Sequence, residues 1–218
     1  MSDKFDFKKE YKDLYLPPKK PVIINVPSMK FIAVNGKGNP NTCEEYKNAM
    51  EILYGLSYSI KMSKMNGTEP EGYYDYVVPP LEGFWEMADG SSVIGNVKDK
   101  NLFVWTSLIR QPEFVTKKVF EQAKAVLSKK KPELNLDTAQ FVTIKEGLCV
   151  QILHVGTYDT ESASVDLMNK YIGENGYEND FSDGENGRRH HEIYLGDPRR
   201  IAPEKRRTVI RHPVKKVK

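Results

Sequence analysis

One order of elements is written twice along this chain, and that repetition restricts the fold more than any single motif. Lys30-Phe-Ile-Ala-Val-Asn35 is a β-branched apolar run stopped by Gly36-Lys-Gly38-Asn-Pro40, which predicts a strand and a tight loop. Thr42-Cys-Glu-Glu45 offers a capping box, and the spacing of Tyr46, Met50, Leu53, Tyr54, Ser57 and Ile60 predicts a helix over 42–64. An aromatic segment running to Met87 and a strand over Leu102–Ile109 follow. In the second half, 148–155 reads as a strand stopped by Gly156, Asp159 and Thr160 cap a helix over 161–174, and Asn175-Gly176 ends it. Strands over 190–195 and 207–212 complete the copy, and a helix from Phe114 to Leu127, closed by three lysines, joins the halves.

Two β-α-β-β units in series predict an α+β protein whose modules are related by a pseudo-twofold axis. The boundaries read as an extended N-terminal arm over 1–27, a first module at about 28–112, a linking helix over 114–130, a second module at about 138–214 and a basic tail over 215–218. With 218 residues the chain can bury roughly 70% of its unfolded surface without disulfide or metal staples. Cys43 and Cys149 lie in apolar-periodic segments and read as reduced core thiols, and the charged N-terminus lacks a signal-peptide core, so a cytoplasmic location is expected. No run approaches the ~20 apolar residues of a membrane helix. Lys and Arg exceed Asp and Glu by only three, too little for a field that recruits nucleic acid or a membrane surface. The basic pieces Lys205-Arg-Arg207 and Lys215-Lys-Val-Lys218 read as solvated charge.

Chemistry-bearing side chains concentrate in His190-His-Glu-Ile-Tyr-Leu195. Strand alternation puts His190, Glu192 and Tyr194 on one face and Ile193 and Leu195 on the other, and if the apolar pair faces the helices, the polar trio faces away from them. A carboxylate in mid-strand suits either a ligand site or a structural pair with an arginine such as Arg110, and the strand alone favours the structural pair. Tyr54, Tyr76, Phe84, Trp85, Phe103 and Trp105 fall in elements that border the same region. Rings of this kind stack planar ligands or build a core, and Phe84 and Phe103 read as core from their context. His154, His190 and His191 do not read as a metal site, because adjacent histidines point to opposite faces and no carboxylate stands at ligand spacing. Gly36-Lys-Gly38 is too short for a phosphate loop, and there is no Gly-x-Ser-x-Gly elbow or Cys–His set for an acyl-enzyme.

Four ordered blocks, at 71–82 (GluGlyTyrTyrAspTyrValValProProLeuGlu), 105–116 (TrpThrSerLeuIleArgGlnProGluPheValThr), 146–156 (GluGlyLeuCysValGlnIleLeuHisValGly) and 190–199 (HisHisGluIleTyrLeuGlyAspProArg), give the chain a resemblance to the GyrI-like small-molecule-binding family from about residue 5 to 214. The resemblance implies two modules whose sheets form a ligand groove with helices on the outer side, and flat, often cationic drugs stacked on aromatics near a buried Glu. Within the family the chain is most similar to stand-alone hydrolases that open the ring of cyclopropanoid xenobiotics, which implies detoxification. No helix-turn-helix region precedes the domain in this sequence, so a DNA-binding regulator is not expected. The implied roles are Glu192 as base toward water, Tyr54 or Tyr194 as donor to the developing oxyanion, and Trp85, Trp105, Tyr76, Phe103, His190 and Tyr194 as ligand contacts, with no metal and no cofactor. The rival reading is a non-catalytic protein that sequesters planar or cationic aromatic drugs. An interaction with gyrase follows from the family name alone.

Overall fold

A computed structural model describes residues 4–94, 97–181 and 187–217. In chain order these form α1 (Phe7–Glu10), α2 (Lys12–Tyr15), β1 (Val22–Val26), β2 (Met29–Lys37), α3 (Glu44–Lys61), β3 (Leu81–Met87), β4 (Phe103–Arg110), α4 (Lys117–Lys130), β5 (Ala139–Ile144), β6 (Gly147–Val155), α5 (Glu161–Glu174), β7 (Tyr177–Asn179), β8 (His190–Tyr194) and β9 (Arg207–Lys216). The duplication is present as β2-α3-β3-β4 and β6-α5-β8-β9. Every strand pair is antiparallel, in the order β1-β6-β9-β8-β3-β4-β2-β5, with β7 added to β9. The pseudo-twofold axis passes between β3 and β8, the equivalent strands that pair at the centre.

The flanking strands β1 and β5 exchange modules. β1 precedes the first module but pairs with β6 of the second, and β5 precedes the second but pairs with β2 of the first. Only Pro27 and Ser28 separate β1 from β2, and only Lys145 and Glu146 separate β5 from β6, although these strands stand near opposite ends of the pairing order. Two residues reach about 10 Å, so the sheet curls until its ends meet.

On the outer face, Ile32, Val34, Trp85, Trp105 and Ile109 pack with α3 and α4, while Val150, Ile152 and Ile210 pack with Val165, Met168 and Ile172 of α5. The register aligns Trp85 with His190 and Glu192 with Ile210, so both module helices lie on one side of the sheet. α4 starts at Thr116, whose hydroxyl accepts from the Val119 amide, and α3 starts at Cys43 without the side-chain cap read at Thr42. Cys43 is therefore a half-buried helix-start residue, whereas Cys149 is buried core.

The inner face carries Phe31, Ala33, Phe84, Leu108, Ile193 and Val209. The segment read as an extended arm is part of this core: α1 and α2 insert Phe7, Leu14 and Tyr15, whose burial contributes roughly 1.5–3 kcal/mol each, and β1 completes the sheet edge. Residues 1–3 of that arm, and Lys218 of the tail, lie outside the described residues. Polar side chains share the interior. Arg211 donates to Glu146 at 2.8 Å, to Gln151 and to the Leu14 carbonyl, and His191 stands 2.9 Å from Glu146 and 3.1 Å from Glu82. Burial alone would raise the Glu146 carboxyl, but His191 and Arg211 outweigh it and hold it down to about 2. Among the described residues no helix is long and apolar enough to cross a membrane.

Candidate functional site

A cavity of about 1280 Å³ opens on the outer face between α3 and α5. Four-residue spacing along α3 brings Tyr46, Met50, Tyr54 and Tyr58 to one wall, β3 and β4 supply Trp85 and Phe103, β8 supplies His190, Glu192 and Tyr194, the turn before α5 supplies Tyr158, and the first residue of α5 is Glu161. The loop over 196–200 forms part of the rim.

The alternation read in β8 holds, but its sides are exchanged. Ile193 and Leu195 bury against the inner core, because α1 and α2 occupy that face, and His190, Glu192 and Tyr194 turn toward the helices. Glu192 is therefore not paired with Arg110, which is buried on the inner side over the rings of Phe7 and Tyr11. Glu192 instead accepts from His190 Nε2 at 2.9 Å, and His190 Nδ1 lies 2.7 Å from His212 Nε2.

Trp85 and Phe103 meet edge to face at 5.3 Å on the cavity wall, and the Trp85 indole N–H donates to the Tyr194 hydroxyl at 2.9 Å. Gly83 makes room for that bond, since a Cβ there would stand 2.7 Å from Trp85 Nε1 and 3.3 Å from the Tyr194 hydroxyl. Trp105 does not reach the cavity. Its ring lies against the backbone of Gly36, where a Cβ would fall 2.2 Å from it, and Tyr46 covers it edge-on at 5.0 Å. Tyr76 is also absent from the wall, being buried in the inner core beside Phe7 and Phe114. Tyr54 does line the cavity, 39% exposed, and its hydroxyl is raised by burial and by Asp197 at the rim.

The group that Glu192 meets is one that the sequence reading did not single out. Glu161 is 7% exposed, its Oε1 has no hydrogen-bond partner, and burial together with the charge of Glu192 raises it well above the usual carboxylate range. Of the two carboxyls, Glu161 is thus the one held toward its protonated form. Three phenols share this field: Tyr46, Tyr158 and Tyr194 are each raised by burial first and by Glu192 second or next, Tyr158 to about 12. Tyr46 and Tyr158 were likewise not singled out. The ligand atoms of Glu161, His190 and Glu192 lie within 4.8 Å of one another, a spacing that a cation could bridge and that arises because α5 delivers a carboxylate from far along the chain. Both His190 nitrogens are already engaged by Glu192 and His212, so a metal would have to displace the Glu192 bond. His154 serves the loop before α5, bonding Ser164 and the Thr157 carbonyl, and His191 serves the inner core.

Two crystal structures of a hydrolase from Listeria innocua superpose with TM-scores of 0.86 and 0.88, at 45% and 46% identity, covering 97% and 98% of this chain and 100% of theirs. The C-terminal domain of EcmrR, at 15% identity and TM-score 0.51 over 91% of this chain and 98% of its own, shares the fold. No curated protein matches the chain. The model of the GyrI-like small molecule binding domain matches residues 19–215, almost the whole of the duplicated sheet and both cavity helices, and the chain belongs to the GyrI-like family.

Proposed function

We propose that this cavity binds flat, electrophilic small molecules and opens the cyclopropane ring of cyclopropanoid compounds by adding water. The observation that carries the reading is the pair of neighbouring carboxyls, Glu192 and Glu161, that lines the cavity beside an aromatic wall, with Glu161 raised by burial and by Glu192. Two adjacent carboxyls whose environments differ can supply a base and an acid to one reaction. Among the described lining residues there is no serine, threonine or cysteine, and in this reading water is the nucleophile. The name hydrolase borne by relatives at 45–46% identity is consistent with this.

A spirocyclopropane joined to a dienone is strained, and its unhindered CH2 is open to attack. Glu192 takes a proton from water as the water oxygen bonds to that carbon. The ring C–C bond breaks, its electron pair passes into the dienone, and the carbonyl oxygen becomes a phenol on taking a proton from Glu161 or from a neighbouring tyrosine hydroxyl. Return of the proton from Glu192 restores the pair, and the sum is addition of one water. Trp85, Phe103 and Tyr54 hold the flat ring system, each good contact contributing on the order of 1 kcal/mol. Tyr194 and Tyr54 both line the cavity, and Tyr194, whose hydroxyl accepts from the Trp85 indole, is the phenol that stands beside Glu192.

Incubation of the purified protein with a spirocyclopropyl dienone, followed by mass spectrometry, should show catalytic conversion to the product carrying one added water. Glu192→Gln keeps the shape of the base and should lower turnover by ~10²-fold while changing ligand affinity little. Recovery of the compound unmodified and in stoichiometric complex would replace this reading with sequestration.

A further inference from the structure

Behind Glu192 a polar chain leads away from the cavity. The Glu192 carboxylate only accepts, so the proton on the 2.9 Å bond belongs to His190 Nε2. A neutral His190 then has a bare Nδ1, and the proton on the 2.7 Å bond between the rings belongs to His212 Nε2. This assignment leaves His212 Nδ1 as a bare lone pair, and that atom is buried without a partner. The two rings are 4% and 1% exposed, so the bond between them is closed to water. Burial, the larger cause, holds His212 well below the usual imidazole range, as a neutral donor requires. An edge-on contact with Phe181 at 5.2 Å fixes the ring from its other side.

We propose that His212 is a positioning residue for Glu192, acting through His190: by donating to Nδ1 it locks His190 as the Nε2–H tautomer and aims that donor at Glu192 Oε1. His212 touches neither the cavity nor the reacting atoms. The inference rests on the hydrolytic reading only in that Glu192 is the base.

The test uses the full-length chain with histidine labelled at both ring nitrogens, and two variants. Long-range proton–nitrogen spectra of the wild type should show His190 as the Nε2–H tautomer and His212 likewise. His212→Leu removes the donor and should make His190 a tautomer mixture, lowering kcat for a spirocyclopropyl dienone about tenfold with KM within twofold. His212→Gln presents an amide N–H at similar reach and should restore both the tautomer and most of kcat. A wild-type spectrum with His190 as Nδ1–H overturns the proposal whatever the kinetics, and so does a folded His212→Leu variant with unchanged kcat. If the wild type turns over no cyclopropanoid, the hydrolytic reading fails, and the spectra of the wild type and the Gln variant still decide whether His212 sets the tautomer.

Discussion

Glu161 occupies a position in α5 where its neighbours at the same phase, Val165, Met168 and Ile172, are all buried against the sheet. An acidic residue in an apolar stripe was visible in the sequence, and it is the signal by which the second carboxyl could have been found. Its consequence for stability has a definite sign. The folded carboxyl is raised above its ordinary value of 4.5, so the stability that it supplies is complete below pH 4.5 and is lost as pH rises through the raised value. Glu161→Gln should therefore melt with the wild type at pH 4 and above it at pH 8, by about 2–4 °C if the penalty is near 1 kcal/mol, as followed by differential scanning calorimetry. Equal melting temperatures at both pH values would show that Glu161 is not destabilised by ionisation. Glu192, by contrast, stood out as a mid-strand carboxylate, but the strand alone favoured a structural ion pair and its site role came from the family resemblance; the side it faces depends on what α1 and α2 cover.

The pattern was most informative for elements that combine a continuous apolar period with a stop, and it placed α3, α5, β2, β4, β6 and β8 within a few residues. β1 was missed because Pro21 and Pro27 bracket five residues and read as an extended lead-in; proline is tolerated at the ends of an edge strand, where its missing N–H goes unneeded. The Trp105 assignment failed because the site of a ring depends on what lies across the sheet, here Gly36. Two predictions belong to this scale. Gly83→Ala drives a methyl into the Trp85–Tyr194 bond in β3 and should weaken planar-ligand binding about tenfold by fluorescence titration. Tyr15→Phe removes from α2 the hydroxyl that donates to Glu82 and should cost about 1–3 kcal/mol in urea unfolding. Since Tyr15 lies on the inner face, affinity at the outer cavity should stay within twofold, and a larger change would mean that the two faces are coupled.

At the scale of the whole molecule, the duplication was readable but the exchange of β1 and β5 was not, because pairing between distant segments leaves no trace in local periodicity. Each half depends on the other for an edge strand, and the cavity takes one wall from each. A fragment of residues 1–132 should therefore lack cooperative thermal unfolding and dispersed amide resonances, and a folded, monomeric fragment would show the halves to be separable. The exchange also governs the order of events as the chain is made. Val22 pairs with Gln151, so β1 leaves the ribosome long before its partner exists, and loop-closure entropy opposes that pairing until the second half has condensed. Until then β6 and β1 are unsatisfied strand edges able to pair with other chains. Closure of the sheet is thus expected to be the slow step of folding, and the interval before it the one in which this protein is most prone to aggregate.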